Sequence, residues 1–116
     1  MPGVQAAVCG KDIDMSQLVS FVIPCYRSSK TIVGVVEEID KAMKRLSKYR
    51  YEIILVNDCS PDETFEVIRG ICAERKDICG INLARNFGQH AALMAGFHYV
   101  RGDILVCLDD DGQTPA

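Results

Sequence analysis

Residues 51–75 read YEIILVNDCSPDETFEVIRGICAER, and the character of the chain changes halfway through them. The first seven, YEIILVN, hold four consecutive apolar residues from Ile53 to Val56, the composition of a strand buried on both faces. A helix-start signature follows, with Ser60 as N-cap, Pro61 at the first helical position and Glu63 completing a capping box. A strand that runs directly into a helix is one unit of a parallel α/β sheet, because parallel neighbours need a crossover between them.

The alternation extends in both directions. Upstream, LVSFVIP (18–24) is a short apolar run closed by Pro24, after which Ile32, Val35, Val36, Ile39, Met43 and Leu46 recur at helical spacing. Downstream, ICGINL (78–83) reads as a third strand and GQHAALMAGFHYVR (88–101) as a third helix. Its Ala91, Ala92, Ala95 and Gly96 suit close packing, and Leu93, Met94, Phe97 and Val100 are its expected core residues. DILVCLD (103–109) is a fourth strand. The order β-α-β-α-β-α-β predicts a parallel three-layer α/β sheet with helices on both faces. Residues 1–17 show no clear period and are expected as a loosely ordered lead-in, with 18–116 as one domain.

Ligands of such sheets bind beyond the carboxyl ends of the strands. The unusual residues of this chain cluster there: Pro24-Cys25-Tyr26, Asn57-Asp58, Arg85-Asn86-Phe87-Gly88, and Asp109 to Asp111. The run of three aspartates is costly at the end of a buried strand unless a cation or water offsets the charge. Asp109, Asp110, Asp111 and Gln113 offer the oxygen ligands that Mg²⁺ or Mn²⁺ prefers; the same triplet also reads as a solvated acidic turn. An EF-hand loop is excluded by the position of Gly112. Asp58 could accept from a base N–H or shape its own turn. Arg85, beside Gly88 and ahead of a helix N-terminus, could approach phosphates or stand as an ordinary surface cation. His90 and His98 read as structural, and neither a G-x-G-x-x-G nor a Walker loop is present.

Composition narrows the classes. With 116 residues, 48% of them hydrophobic, and a mean hydropathy of +0.07, the chain is globular. A net charge of −3 and a pI near 5.3 argue against a general nucleic-acid binder, which needs a basic surface. The six cysteines lack zinc-ligand spacing and are expected as reduced thiols of a cytoplasmic protein. No run approaches the roughly 20 apolar residues that span a bilayer.

Four motifs in order, VIPCYRSSKTI, VNDCSPDET, RNFGQHAALMAG and LDDDGQTPA, resemble the N-terminal half of a family 2 glycosyltransferase over about residues 18–116. The likeness is to the branch of dolichol-phosphate mannose synthases and bacterial polyprenyl-phosphate glycosyltransferases. The resemblance implies the Rossmann-like sheet of the A-type glycosyltransferase fold, incomplete in this chain. It implies a nucleotide pocket lined by Pro24, Tyr26, Ser28, Val56 and Asp58, with Asp58 facing the base. Asp109 and Asp110 would lie along the ribose and diphosphate, Arg85 and Gln89 on the diphosphate side, and Asp111 with Gln113 on a Mg²⁺ or Mn²⁺ ion.

The resemblance further implies inverting transfer from a nucleotide-diphospho-sugar, UDP-linked by preference, to a polyprenyl phosphate or glycan in cell-envelope synthesis. The acceptor site, the catalytic base and any membrane helices are expected beyond Ala116, with the parent protein at the cytoplasmic face of the membrane. The truncated chain is then expected to be inactive alone and to self-associate through an unpaired sheet edge. Two departures stand out: Arg27-Ser28 where many relatives carry Asn-Glu, and Gly112 and Thr114 in place of a Leu and an Asp. The rival reading is a phosphoacceptor receiver module, which has a similar sheet and strand-end aspartates. That module needs its acidic pair after the first strand, where this chain has Pro-Cys-Tyr. A non-catalytic nucleotide-binding relative is the third reading.

Overall fold

The computed structural model describes residues 4–8, 18–46 and 49–108. Four parallel strands, β2 (Leu18–Cys25), β3 (Arg50–Asn57), β4 (Ile78–Leu83) and β5 (Ile104–Cys107), alternate with α1 (Ile32–Lys44), α2 (Thr64–Glu74) and α3 (Gln89–Phe97), as the periodicity predicts. Within the stretch expected as a loose lead-in, Val4–Val8 form β1, which pairs antiparallel with β4. The sheet order is β1-β4-β3-β2-β5. Successive crossovers move from β2 to β3 to β4, and the chain then returns to the far side of β2 for β5.

The run of apolar residues in β3 divides between two cores because strand side chains alternate. Ile53 and Leu55 join Phe21 and Ile23 beneath α1 and α2, while Ile54 and Val56 join Val22 and Ile81 beneath α3. All eight residues of β2 are buried. Each fully buried Ile or Leu contributes about 1.5–3 kcal/mol relative to exposure, so the two central strands are the chief source of stability.

α1 buries Ile32, Val36, Ile39 and Met43. Leu46 lies past the helix end and is half-exposed, so the predicted stripe outruns the helix by one position. Met94 is likewise half-exposed, whereas Ala92, Ala95 and Gly96 are buried against the sheet. A Cβ added to Gly96 would overlap Val22 Cγ1 and stand 3.1 Å from Val56 Cγ2, which explains why only glycine lets α3 approach so closely.

Two ionic clusters brace the opposite edge of the sheet, where the strands begin. Glu52, buried in β3, accepts from Ser20 Oγ (2.6 Å), Arg101 N–H (2.8 Å) and Arg101 Nε (3.0 Å), fixing the turn that leads into β5. Arg75 bridges Asp40 of α1 and Asp77, at 3.0 and 2.8 Å. Burial pushes the Asp40 carboxyl up, but hydrogen bonds from Arg75 and Tyr51 outweigh it and hold the group below its usual value. Burial, with the bond to Asp40, raises the Tyr51 hydroxyl to about 12.

Cys25, Cys59, Cys72 and Cys107 are free thiols, but Cys79 is disulfide-bonded, which corrects the expectation of reduced cysteines throughout. β5 ends the sheet among the described strands, with Ile104 and Leu105 43% and 45% exposed.

Two glycine substitutions should move stability in opposite directions. Gly96→Ala should destabilise the chain, because overpacking rigid core strands costs about 1–3 kcal/mol, more than the roughly 1 kcal/mol of helix propensity gained. Gly70→Ala, in α2 with nothing within 4 Å of the added methyl, should stabilise it by about 0.5–1 kcal/mol. Urea unfolding monitored by circular dichroism measures both.

Candidate functional site

Because β2, β3 and β4 are parallel and in register, Cys25, Asn57 and Asn82 lie side by side at the carboxyl edge. The loops leaving that edge therefore meet, and they are bonded to one another mainly by backbone N–H groups and short polar side chains. Asp58 N–H donates to Cys25 C=O at 2.9 Å, extending the ladder by one rung. Asn57 Nδ2 donates to Asn82 Oδ1 at 2.7 Å, and Ser60 N–H donates to Asn57 Oδ1 at 3.2 Å.

The loop after β2 is held by the loop after β3. Arg27 N–H donates to Ser60 Oγ and Ser28 N–H to Thr64 Oγ1, both at 2.9 Å. Ser60 is thereby drawn into this contact, and α2 starts at Thr64, later than the capping box predicts. Asp62 supplies the side-chain oxygen there, accepting from Thr64 N–H at 3.0 Å, from Ser60 Oγ at 2.5 Å and from Thr64 Oγ1. Those hydroxyl bonds, Ser60 first, lower the Asp62 pKa from 3.8 to about 2. Arg27 and Cys59 sit at φ 53° and 52°, a left-handed conformation rare for such residues and tolerated where the surroundings over-determine it.

The loop after β4 is tied to β3 by Asp58, which is 4% exposed. Its Oδ1 accepts from Phe87 N–H at 2.8 Å and its Oδ2 from Gly88 N–H at 2.9 Å. Gly88, at φ 96°, makes the turn that opens α3. Cys59 Sγ adds a weak bond to Ala84 C=O at 3.6 Å.

The expected pocket residues separate by depth. Tyr26 is 44% exposed, with the Arg27 guanidinium 5.6 Å from its ring centre. Arg85 is exposed after β4, and Gln89 begins α3. Pro24, Ser28 and Asp58 are buried directly below that surface. Val56 is fully buried in the core under α3, so its side chain does not reach the surface of the edge. Asp109, Asp110, Asp111 and Gln113 lie outside the described residues. β5 runs parallel beside β2 with Cys107 opposite Val22, and Leu108 N–H bonds Val22 C=O at 3.1 Å.

The sequence reading missed Thr64, Phe87 and Gly88 as structural partners, because backbone donors and a helix-start hydroxyl carry no distinctive signal until the loops are adjacent. Among the described residues, no three His, Cys, Asp or Glu side chains are grouped to hold a metal. A depression of about 330 Å³ lined by Cys79, His98, Tyr99, Val100 and Arg101 lies near the strand beginnings, away from the converging loops, and has no part in this site.

Arg27, Lys30 and Arg85 make no ion pair among the described residues. This is the Rossmann-like sheet of an A-type glycosyltransferase, in part. It matches mannosyltransferase PcManGT from Pyrobaculum calidifontis, solved with GDP-Man and Mn²⁺, at a TM-score of 0.70 and 23% identity, over 84% of this chain and 28% of that one. It matches S. aureus TarS 1-349, solved with UDP, at 0.65 and 20%, over 80% and 27%. The chain belongs to glycosyl transferase family 2, whose family model matches residues 20–116.

Among curated relatives, the undecaprenyl-phosphate 4-deoxy-4-formamido-L-arabinose transferase of Pseudomonas fluorescens is 42% identical over 101 residues, 85% of this chain and 29% of the relative. The enzyme of the same name from Aeromonas hydrophila is 42% identical over 100 residues, 85% and 30%. The chain thus spans less than a third of the length of these relatives. No helix among the described residues is long and apolar enough to cross a membrane.

The Asp62 network should register in acid. Its folded pKa lies below the ordinary value, so its stabilisation is present above pH 3.8 and lost as pH falls through about 2. Thermal melts of wild type and Asp62→Ala from pH 1.5 to 6 should show a Tm gap that is full at the upper end and shrinks as the carboxylate protonates.

Proposed function

We propose that this chain supplies the donor-binding part of an inverting glycosyltransferase that moves a sugar from a nucleotide-diphospho-sugar to a polyprenyl phosphate. The observation that carries it is the convergence of Tyr26, Asp58 and Arg85, which follow three adjacent parallel strands, on one sheet edge of a family 2 chain. The acceptor class is favoured by the undecaprenyl-phosphate named in the relatives. A glycan acceptor is the alternative, and UDP is preferred over GDP as carrier.

In this reading the nucleotide lies across the loops after β2 and β3, with Tyr26 along its base or ribose. Arg85, and the positive end of α3 beginning at Gln89, face the diphosphate. Transfer breaks the bond between the anomeric carbon and the diphosphate oxygen, leaving additional negative charge on the phosphate, and groups fixed before reaction stabilise that charge most effectively. The carboxylates of Asp109, Asp110 and Asp111 and the carboxamide of Gln113 are oxygen donors suited to Mg²⁺ or Mn²⁺. A bound cation would neutralise the leaving diphosphate. A phosphate acceptor is already ionised and needs no general base. A lipid acceptor places the reaction at a membrane surface.

Calorimetry with UDP and GDP, in Mn²⁺, Mg²⁺ and EDTA, tests the donor half. Binding should require the metal and fall at least about tenfold, or 1.4 kcal/mol, in Asp111→Ala. Equal binding in EDTA would remove the cation from the site, and no binding of either nucleotide under any condition would overturn the reading.

A further inference from the structure

The loop after β2 carries an arginine where a glycine would sit without strain. Arg27 has φ 53°, in the left-handed region. Backbone bonds on either side of it hold the turn: Tyr26 N–H donates to Ser28 Oγ at 3.1 Å, and Arg27 N–H to Ser60 Oγ and Ser28 N–H to Thr64 Oγ1, both at 2.9 Å. None of these bonds uses the Arg27 side chain. That side chain is exposed, its guanidinium lies over the Tyr26 ring 5.6 Å from the centre, and it makes no ion pair among the described residues, Asp62 of the facing loop included. We propose that Arg27 is a donor-binding residue whose guanidinium takes the phosphates of the nucleotide, a role that rests on the donor-binding reading above.

Strain of this kind persists where the surroundings over-determine it, and it gathers at ligand sites. Here the surroundings use only the backbone of Arg27, which leaves the guanidinium at the edge where parallel sheets bind ligands. Contact with Tyr26 orders it in advance. A long side chain loses rotamer freedom when it grips an anion, and resting on the ring removes part of that loss before binding. A guanidinium suits the task better than an ammonium, because its planar fork can lie on a ring and also donate two parallel N–H bonds to a phosphate.

Strand order agrees with the phosphate end. β2 lies between β4, whose following loop holds Arg85, and β5, which the Asp109–Gln113 motif follows in sequence. Those are the two groups that the donor-binding reading sets at the diphosphate, and the strand bearing Arg27 stands between the strands that precede them.

Calorimetry and NMR titration of the 116-residue chain in Mn²⁺ test the role, with UDP, UMP and uridine and with the matching guanosine series. The proteins are wild type, Arg27→Gly, Arg27→Gln and Arg27→Lys, each also melted thermally. Arg27→Gly should weaken nucleoside diphosphate binding by at least about tenfold, weaken the monophosphate less, and leave the nucleoside within about twofold. Its Tm should hold or rise, because glycine adopts the left-handed turn without a Cβ penalty. Arg27→Gln, which keeps a Cβ and removes the charge, should lose diphosphate binding as Arg27→Gly does. Arg27→Lys should fall between, keeping the charge without the fork.

Equal losses for diphosphate, monophosphate and nucleoside would make Arg27 a brace for the Tyr26 ring and overturn the phosphate contact. A Tm drop in both Arg27→Gly and Arg27→Gln would assign the side chain to the fold and overturn it too. Wild type that binds a diphosphate while all three variants match it sinks this proposal alone. Wild type that binds neither diphosphate sinks the donor-binding reading, and this proposal with it.

Discussion

The charged edge depends on one constraint, the parallel register of β2 and β3 from Leu18 opposite Arg50 to Cys25 opposite Asn57. Both strands are buried on two faces, so a slip of one residue would exchange the contents of the two cores and drive Glu52 into the layer under α1 and α2. Register is therefore fixed by burial over the whole length of the strands. Its consequence appears at their ends: Cys25 and Asn57 finish level, and the loops that follow are placed within hydrogen-bonding distance. Polar chemistry at this edge is located by hydrophobic burial elsewhere.

The two edges of the sheet use polar groups differently. Where the strands begin, full charges meet full charges, with Glu52 on Arg101 and Arg75 on Asp40 and Asp77. Such pairs orient the elements they join, but the desolvation of the ions offsets much of their attraction. Where the strands end, most joints involve backbone N–H groups accepted by short side chains, and the cations Arg27, Lys30 and Arg85 make no ion pair among the described residues. Loops already joined in this way need little reorganisation to bind an anionic ligand of the kind proposed.

Family membership and this geometry address different links of the chain from sequence to function. The match over residues 20–116 assigns the family, and the superpositions on glycosyltransferases below 25% identity establish the sheet. Neither assigns a job to a side chain. Asp58 illustrates the gap, because the motif around it directs attention to a nucleotide base while its surroundings show a carboxylate that accepts the Phe87 and Gly88 N–H groups.

By itself the sequence determined the alternation of strands and helices, their number between residues 18 and 108, and the edge at which unusual residues gather, because these follow from local periodicity and from the direction of parallel strands. It also determined the small-residue face of α3 at Ala92, Ala95 and Gly96. What it read wrongly were ends and states: the helix at Ser60, the exposure of Leu46 and Met94, strand β1 in the lead-in, and the bonded Cys79. Tertiary structure decided those, together with Asp58's partners and the burial of Val56. Each depends on which segments become neighbours across the sheet, and a contact between residues about 30 positions apart leaves no period in the sequence to reveal it.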